Sequence, residues 1–201
     1  MTTAVDELDW RRQTAQLYAG VRAERFPAVA HAGWAAVRDR LYAEHPCSPA
    51  AGAGAGFLGL TVAAYDPAWR AEVRLEQAPP RRLELDAGAD RPAPLERVGV
   101  LGTPWGRLDV WRVDCWGGGW WVPVRDAGSG RLSYDGGRYL LATGEGADLG
   151  TGPDGGLVVD LNFLYAPACA HDPRRVSPLP PSGNALDVVV PVGELTPVHQ
   201  P

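Results

Sequence analysis

Lysine is absent from this sequence of 201 residues, and cysteine is sparse. Without lysine the chain has no side-chain amine that forms a Schiff base with a substrate, so enzymes of that class are excluded. The three cysteines, Cys47, Cys115 and Cys169, are too few and too odd in number for a disulfide framework. Free thiols are therefore expected, with a single disulfide pair as the alternative.

Long apolar runs and clusters of positive charge are also missing. No stretch approaches the roughly 18 to 20 consecutive apolar residues of a membrane span, and the N-terminal residues turn acidic too early for a secretion signal. We therefore expect a cytoplasmic protein that has no membrane partner. The formal charge is −5 and the arginines are scattered, so we expect no nucleic-acid partner either.

The hydrophobic pattern changes once along the chain. Residues 1–45 are predicted to form two short helices joined near Pro27, because apolar residues recur at helical spacing between residues 30 and 41. Residues 57–195 carry short alternating runs separated by glycine-rich turns, a pattern typical of antiparallel strands. We expect a mainly β fold, an antiparallel barrel or sandwich, with the helical segment packed on it in one globular unit. The predicted strands cover residues 71–77, 98–101, 108–116, 120–125, 139–142, 157–162 and 186–192.

One stretch near the C-terminus combines a thiol, an imidazole and a carboxylate. A metal site there would use Cys169, His171 and Asp172, with a fourth ligand from one of the other histidines (His31, His45 or His199). Zinc sites pair such ligands twice at short spacing, and only one near-pair occurs in this sequence. We therefore predict no metal and no cofactor.

Five of the eight tryptophans lie between residues 105 and 121. Large rings on alternating strand faces are expected to fill the core, at least in part. Trp116 and Trp121 flank the "WGGGW" turn and are the pair that we expect to be exposed. Exposed rings would stack a sugar, a flat heterocycle or a partner protein, and this gives a second hypothesis: a binding or interaction module without catalytic chemistry.

Polar residues accumulate where the predicted strands end. An arginine flanked by tyrosine hydroxyls and an asparagine amide makes a suitable pocket for a carboxylate or phosphate group. The alternative is an internal hydrogen-bond network that holds the loops together. The residues concerned are Arg125, Asp126, Tyr134, Arg138, Tyr139, Asp160, Asn162 and Tyr165.

These stretches carry a family resemblance. The segment "VPVRDAGSGRLSYDGGRYLLATGEGADLG", followed by "VVDLNFLYAPACAHDPRRVSPLPPSGN" and "VPVGEL", resembles the bacterial and archaeal domain of unknown function DUF1684. The resemblance extends from Val37 to Leu195 and adds Asn184, Cys169 and Glu194 to the polar site. It implies no established biochemical role.

The sequence also departs from the family pattern. Ala166 stands where relatives commonly have a polar residue, and Gly183 where they have an acidic one. Ser177 replaces a second cysteine, so any metal pair or disulfide that relatives form there is not available to this chain.

Together these observations predict a small-molecule site for an anionic ligand. Arg125 and Arg138 would hold the anionic group, while Asp126, Tyr134, Tyr139, Asn162, Tyr165 and Asn184 would complete the pocket. Whether the protein is an enzyme stays open, and the reactive candidates are Cys169 and Glu194. For Cys169 the alternative is a small buried apolar residue, unless a neighbouring Arg174 or His171 lowers its pKa.

Overall fold

The computed structural model describes residues 2–85, 93–113 and 118–196. Helix α1 spans Ala4–Ala23 and begins at a capping box, in which the Thr3 hydroxyl accepts from the Asp6 N–H (3.2 Å) and the Asp6 carboxylate accepts from the Thr3 N–H (2.7 Å). Helix α2 spans Pro27–Glu44, with the proline in the first turn, where its missing N–H costs no intrahelical bond. The two predicted helices and the break at Pro27 are confirmed.

Strands occupy much of the rest of the chain. The described strands are β1 Thr61–Val62, β2 Arg70–Val73, β3 Leu75–Glu76, β4 Arg82–Leu85, β5 Ala93–Thr103, β6 Gly106–Val113, β7 Trp120–Asp126, β8 Arg138–Ala142, β9 Leu157–Asp160, β10 Ala185–Leu186 and β11 Glu194–Leu195. Seven of them form the main sheet, in the order β10-β7-β6-β5-β3, with β4 also on β5 and β8 also on β7. Two small sheets pair β1 with β11 and β2 with β9.

The sheets do not close into a barrel, so the fold is sandwich-like. The barrel alternative from the sequence was therefore wrong. Closure needs each edge strand to find a partner, and the strands at the edges here are short, which limits pairing of that kind. β5 and β6 form the longest pair, with a bulge between Arg97 and Gly99.

Three predicted strands differ in the structure, and the one at residues 157–162 ends at Asp160, where a 3-10 turn (Leu161–Phe163) begins. The run at residues 71–77 alternates as expected, but it divides into β2 and β3, which pair with different sheets. The run at residues 186–192 forms only the short β10, which pairs with β7 in parallel. The chain between β7 and β10 passes through β8, β9 and a proline-rich crossing, which supplies the long connection that a parallel pair requires.

The helices pack onto the core of the β region. Tyr18 of α1 and Trp34 of α2 are both about 1% exposed and belong to the same apolar cluster as the strand residues. The Trp34 ring meets Phe163 edge to face at 5.3 Å. The His31 ring nitrogen Nε2 lies 3.0 Å from the carbonyl oxygen of Asn162. The helices are thus joined to the segment after β9 by both apolar and polar contacts.

Candidate functional site

Arg138 is at the centre of a buried network. The residue has no exposed surface, and its Nη2 donates to Asp126 Oδ2 (2.9 Å) and to the carbonyl of Val190 (3.0 Å). Its Nη1 donates to the carbonyls of Val192 and Glu194. Burial lowers the pKa of Arg138, although Asp126 opposes that effect. This arginine therefore holds the last described segment against β7 and β8.

Two asparagines from the predicted site are also enclosed. Asn162 exchanges two hydrogen bonds with the backbone of Asp66, both at 2.9 Å. Asn184 accepts from the indole N–H of Trp111 (2.8 Å) and donates to two backbone carbonyls (2.8 and 2.9 Å). Neither residue has exposed surface. Their hydrogen bonds hold loops to strands, and a ligand-binding role for them stays a prediction.

The other predicted residues do not converge on a common ligand position. Tyr134 and Cys169 lie 3.5 Å apart (OH to Sγ), and this contact, together with burial, raises the pKa of Tyr134 to about 12. Tyr139 is buried and donates to a backbone carbonyl. Arg125 points to the surface and pairs with Asp135 at 2.8 Å. Of the two arginines expected to share a ligand, one is at the surface and the other is enclosed.

An open cavity lies elsewhere, between the helices and the β region. Its volume is about 400 Å³, and its lining comes from α1, α2 and the segments that follow β8 and β9. Aromatic and charged side chains dominate the interior: Trp10, Tyr18, Arg38, Tyr42, Glu145 and Tyr165. Tyr165 is thus the predicted residue that reaches this cavity, whereas Glu194 lies directly behind Arg38.

Arg38 supplies the positive charge of the cavity. Its guanidinium lies between two tyrosine rings, 4.5 Å from the centroid of Tyr42 and 4.7 Å from that of Tyr165. Nε and Nη2 donate to Glu194 Oε2 at 3.1 and 3.0 Å, and Nη2 also donates to the Tyr42 hydroxyl. Within the described ranges Nη1 has no hydrogen-bond partner. Its N–H groups are therefore available to an acceptor in the cavity.

The charge of Arg38 is held in place by the acid behind it. Burial lowers the pKa of Arg38, but Tyr42 and Glu194 more than offset this, so the pKa lies above its usual value. Burial would raise the pKa of Glu194, but Arg38 and His171 lower it below the usual range. His171 Nε2 lies 2.9 Å from Glu194 Oε1. Arg38 and Glu194 are thus both ionised, and their charge-assisted hydrogen bonds keep the guanidinium in place.

Tyr18 lines the same cavity, and its hydroxyl oxygen has less than 1 Å² of exposed surface. Over the described part of the chain, its buried oxygen has no hydrogen-bond partner, and neither has the indole nitrogen of Trp34. Burial raises the pKa of Tyr18 to about 12, and the nearby Arg38 and Trp34 act against that rise. The indole N–H of Trp34 does not, however, form a hydrogen bond with the Tyr18 hydroxyl. Buried hydroxyls are normally paired, so an acceptor that reached this hydroxyl would satisfy an unpaired group.

Glu145 is the acidic group of the cavity. Its side chain is exposed on the wall of the cavity, and desolvation by the surrounding protein raises the pKa of its carboxyl. Its Oε2 accepts from the Tyr165 hydroxyl at 3.0 Å, while Oε1 accepts no hydrogen bond from any described residue. Arg38 and Arg11 lower the pKa, but neither is within ion-pair distance. Glu145 therefore keeps one free oxygen toward the cavity.

The structure gives no support to the other sequence-based candidates. Among the described residues no group of three His, Cys, Asp or Glu side chains has the geometry of a metal site. Trp121 is 5% exposed and lies in the core, so its predicted exposure was wrong. Trp116, Cys115 and His199 lie outside the described residues. Neither described helix is long and apolar enough to cross a membrane.

Comparison with known proteins fits this architecture. The family described as "Protein of unknown function (DUF1684)" matches residues 55–195, more than two thirds of the chain. This chain belongs to that family. A solution NMR structure of an uncharacterised protein from Haloarcula marismortui is 28% identical and covers 98% of this chain and 100% of its own, with a TM-score of 0.60. The search of curated proteins finds no similar sequence.

The DUF1684 match covers only one side of the cavity. Glu145, Tyr165 and Glu194 lie within residues 55–195, whereas Tyr18 and Arg38 belong to the preceding helices. The similarity to the Haloarcula marismortui structure extends over the helices as well. The cavity of this DUF1684 member is thus built jointly by the matched region and the helical segment before it.

Arg38 and Tyr18 did not stand out in the sequence. The predicted apolar face of α2 included Trp34 but not Arg38 and Tyr42, which lie one and two turns further along the helix. The spacing of four residues from Trp34 to Arg38 to Tyr42 was the available signal, because it places a charge beside a buried stripe. A charged residue in that position needs a buried partner, and the sequence alone does not show which.

Proposed function

We propose that this protein binds a small molecule in the cavity between helices α1 and α2 and the β region. Ligand pockets typically enclose about 300 to 1,000 Å³ and combine apolar walls with a few convergent polar groups. The cavity of about 400 Å³ has that composition. The observation that carries the proposal is Nη1 of Arg38, which has no described hydrogen-bond partner; the buried Tyr18 hydroxyl, on a residue that lines the cavity, is a second unpaired donor.

We propose further that the ligand presents an anionic group to these donors. A guanidinium held by an acid behind it is preorganised, so little conformational entropy is lost when it meets a carboxylate or phosphate oxygen. The tyrosine rings on both faces of Arg38 limit its rotation further. Such a site would hold an anion by charge-assisted hydrogen bonds, which are stronger than bonds between neutral groups.

This proposal keeps the anionic ligand predicted from the sequence and moves its pocket. The predicted pocket lay at strand ends near Arg125 and Arg138, whereas the cavity lies beside Arg38, with Tyr165 common to both. A cytoplasmic location stays a prediction from the sequence. The acids that line the cavity are Glu7 and Glu145.

The test is a ligand screen on the full chain. Carboxylate- and phosphate-bearing metabolites are added while tryptophan fluorescence is followed, because Trp10 lines the cavity and reports its occupation. Saturable changes are expected, and Tyr18→Phe should weaken binding by roughly tenfold, the usual effect of losing one hydrogen bond to a charged group. Tyr134→Phe is the control, because its hydroxyl contacts Cys169 outside the cavity. Binding that is unchanged in Tyr18→Phe would contradict the proposed site.

A further inference from the structure

One charge in the cavity has no ion-pair partner among the described residues. Arg38 is neutralised by Glu194, since the two side chains form a 3.0 Å ion pair and are 8% and 2% exposed. Glu145 has no such partner, because no basic side chain of the described ranges lies within ion-pair distance of it. With Arg38 and Glu194 paired, and His171 also in contact with Glu194, an ionised Glu145 contributes a negative charge that no described ion pair balances. A cation beside Glu145, or a proton on it, would balance this charge.

A purely anionic ligand would place a second negative charge near Glu145. Its binding would therefore be favoured by a proton on Glu145. A ligand with both an anionic and a cationic group adds no net charge. Its cationic group would pair with the free oxygen of Glu145, while its anionic group would meet Arg38 and Tyr18.

We propose that the cavity binds a zwitterionic molecule of the amino-acid class, with its ammonium group at Glu145 and its carboxylate at Arg38 and Tyr18. This inference rests on the proposed function and specifies its ligand. The geometry fits a short spacing between the two groups: Arg38 lies over the face of the Tyr165 ring at 4.7 Å, and the hydroxyl of the same ring donates to Glu145 at 3.0 Å. One tyrosine ring thus separates the two binding positions.

The aromatic walls indicate where the rest of the ligand lies. Trp10, Tyr18 and Tyr42 line the cavity together with Tyr165, and the Trp10 and Tyr42 rings are 5.8 Å apart. Such walls favour an apolar or aromatic side chain, because they bury ring surface that would otherwise contact water. An amino acid with an aromatic side chain is therefore the best probe of the class.

Further charges stand at the mouth of the cavity. Arg11, Arg175 and Glu7 line the opening, and all three are exposed. Arg11 Nη1 lies 3.4 Å from the carbonyl oxygen of Gly144, next to Glu145. Because these side chains are in solvent, salt and water screen their fields, and they influence approach to the cavity more than binding within it.

Three matched probes separate the possibilities. L-phenylalanine carries both charged groups, 3-phenylpropionate lacks the ammonium group, and 2-phenylethylamine lacks the carboxylate. Their affinities for the full chain are measured by isothermal titration calorimetry near neutral pH. We expect L-phenylalanine to bind roughly 10- to 100-fold more tightly than either analogue, the range for one charged hydrogen-bonding partner. Binding of 3-phenylpropionate should tighten as the pH is lowered, because it needs the protonated form of Glu145.

Two variants test the two binding positions separately, Glu145 for the ammonium group and Tyr18 for the carboxylate. Glu145→Gln should weaken L-phenylalanine binding by roughly tenfold or more and leave 3-phenylpropionate binding unchanged or tighter. Tyr18→Phe should weaken the binding of L-phenylalanine and 3-phenylpropionate, which both carry a carboxylate, and leave the binding of 2-phenylethylamine unchanged. Glu44→Gln is the control for a lost carboxylate, since Glu44 is exposed at the end of α2 and does not line the cavity. Circular dichroism of each variant checks that it is folded.

The outcomes distinguish the two proposals. Equal affinity for L-phenylalanine and 3-phenylpropionate, with no effect of Glu145→Gln, would overturn the zwitterion inference and leave the anion site intact. Tightest binding of 2-phenylethylamine would overturn both the inference and the anion site. If none of the three probes binds at millimolar concentration while folding is unaffected, the proposed small-molecule function itself is contradicted for this size of ligand.

Discussion

Replacing Arg138 by methionine is expected to lower the free energy of unfolding by about 3 to 5 kcal/mol, the usual cost of removing one partner of a buried ion pair. The side chain is fully enclosed. Its loss leaves the Asp126 carboxylate without its cation and the carbonyls of Val190 and Val192 without their donor. Methionine keeps much of the length and volume, so the loss is mainly electrostatic. Because domains of this size are stable by about 5 to 15 kcal/mol, the change is large.

Arg125 provides the matched control. It precedes Asp126 on β7, but its ion pair with Asp135 joins side chains that are 56% and 74% exposed. Arg125→Met should therefore change the free energy of unfolding by less than about 0.5 kcal/mol. Both variants are unfolded in urea at pH 7 and followed by tryptophan fluorescence, with equal m-values as the check on two-state behaviour. A loss below about 1 kcal/mol in Arg138→Met, or equal losses in the two variants, would refute the reasoning.

Tyr18→Phe removes a hydroxyl that has no described partner, so the free energy of unfolding in urea should stay the same or rise by about 1 kcal/mol. Burial lowers the pKa of His31 below 6.5, so the protein should lose stability as the pH falls below that value, where the unfolded chain binds the proton more readily. His31→Gln, which retains an amide donor toward Asn162, should flatten this loss in urea titrations at several pH values. Gly193→Ala should cost about 2 kcal/mol in thermal unfolding, because φ is +80° and the new Cβ would lie 2.8 Å from the Leu164 carbonyl oxygen.

Tyr18, His31 and Gly193 each have a comparison that separates the proposed cause from a general effect of substitution. Tyr42→Phe removes a hydroxyl that is hydrogen-bonded, so it should be more destabilising than Tyr18→Phe, and the reverse order would contradict the assignment. Identical pH profiles for the wild type and His31→Gln would exclude His31 as the source of the acid sensitivity. Gly155→Ala has a similar φ of +76° but open space around the new Cβ, so it separates backbone strain from the clash at Gly193.

The local part of the fold was predictable from the sequence. Helical spacing and Pro27 located the two helices, and alternating runs located most strands, because both patterns repeat within a few residues. The closure of the sheet depends on which distant strands pair, which local patterns do not specify. The valine-rich run at residues 186–192 illustrates the limit: it reads as a strand, but Arg138 takes two of its carbonyls. A side chain thus replaces the neighbouring strand that the pattern implied.

The candidate site was harder to predict because it depends on burial. The sequence grouped Asp126 and Arg138 at neighbouring strand ends, and in the structure their side chains are in contact. The sequence does not show whether such a group is open or enclosed, since this depends on what the C-terminal segment covers. Arg38 was missed for a related reason, because its partner Glu194 lies 156 residues away in the chain. Only the folded structure brings these two charges together.

That long separation has a consequence for biosynthesis. Arg38 and Trp34 leave the ribosome early, but Glu194, which neutralises Arg38, is among the last described residues to be made. β1 likewise cannot pair until β11 has been synthesised, since Thr61 pairs with Leu195. During translation the helices therefore expose a charged and aromatic face that nothing yet covers, and such surfaces are recognised by chaperones. Premature termination before Glu194 should leave a nascent chain that fails to complete its fold and is degraded.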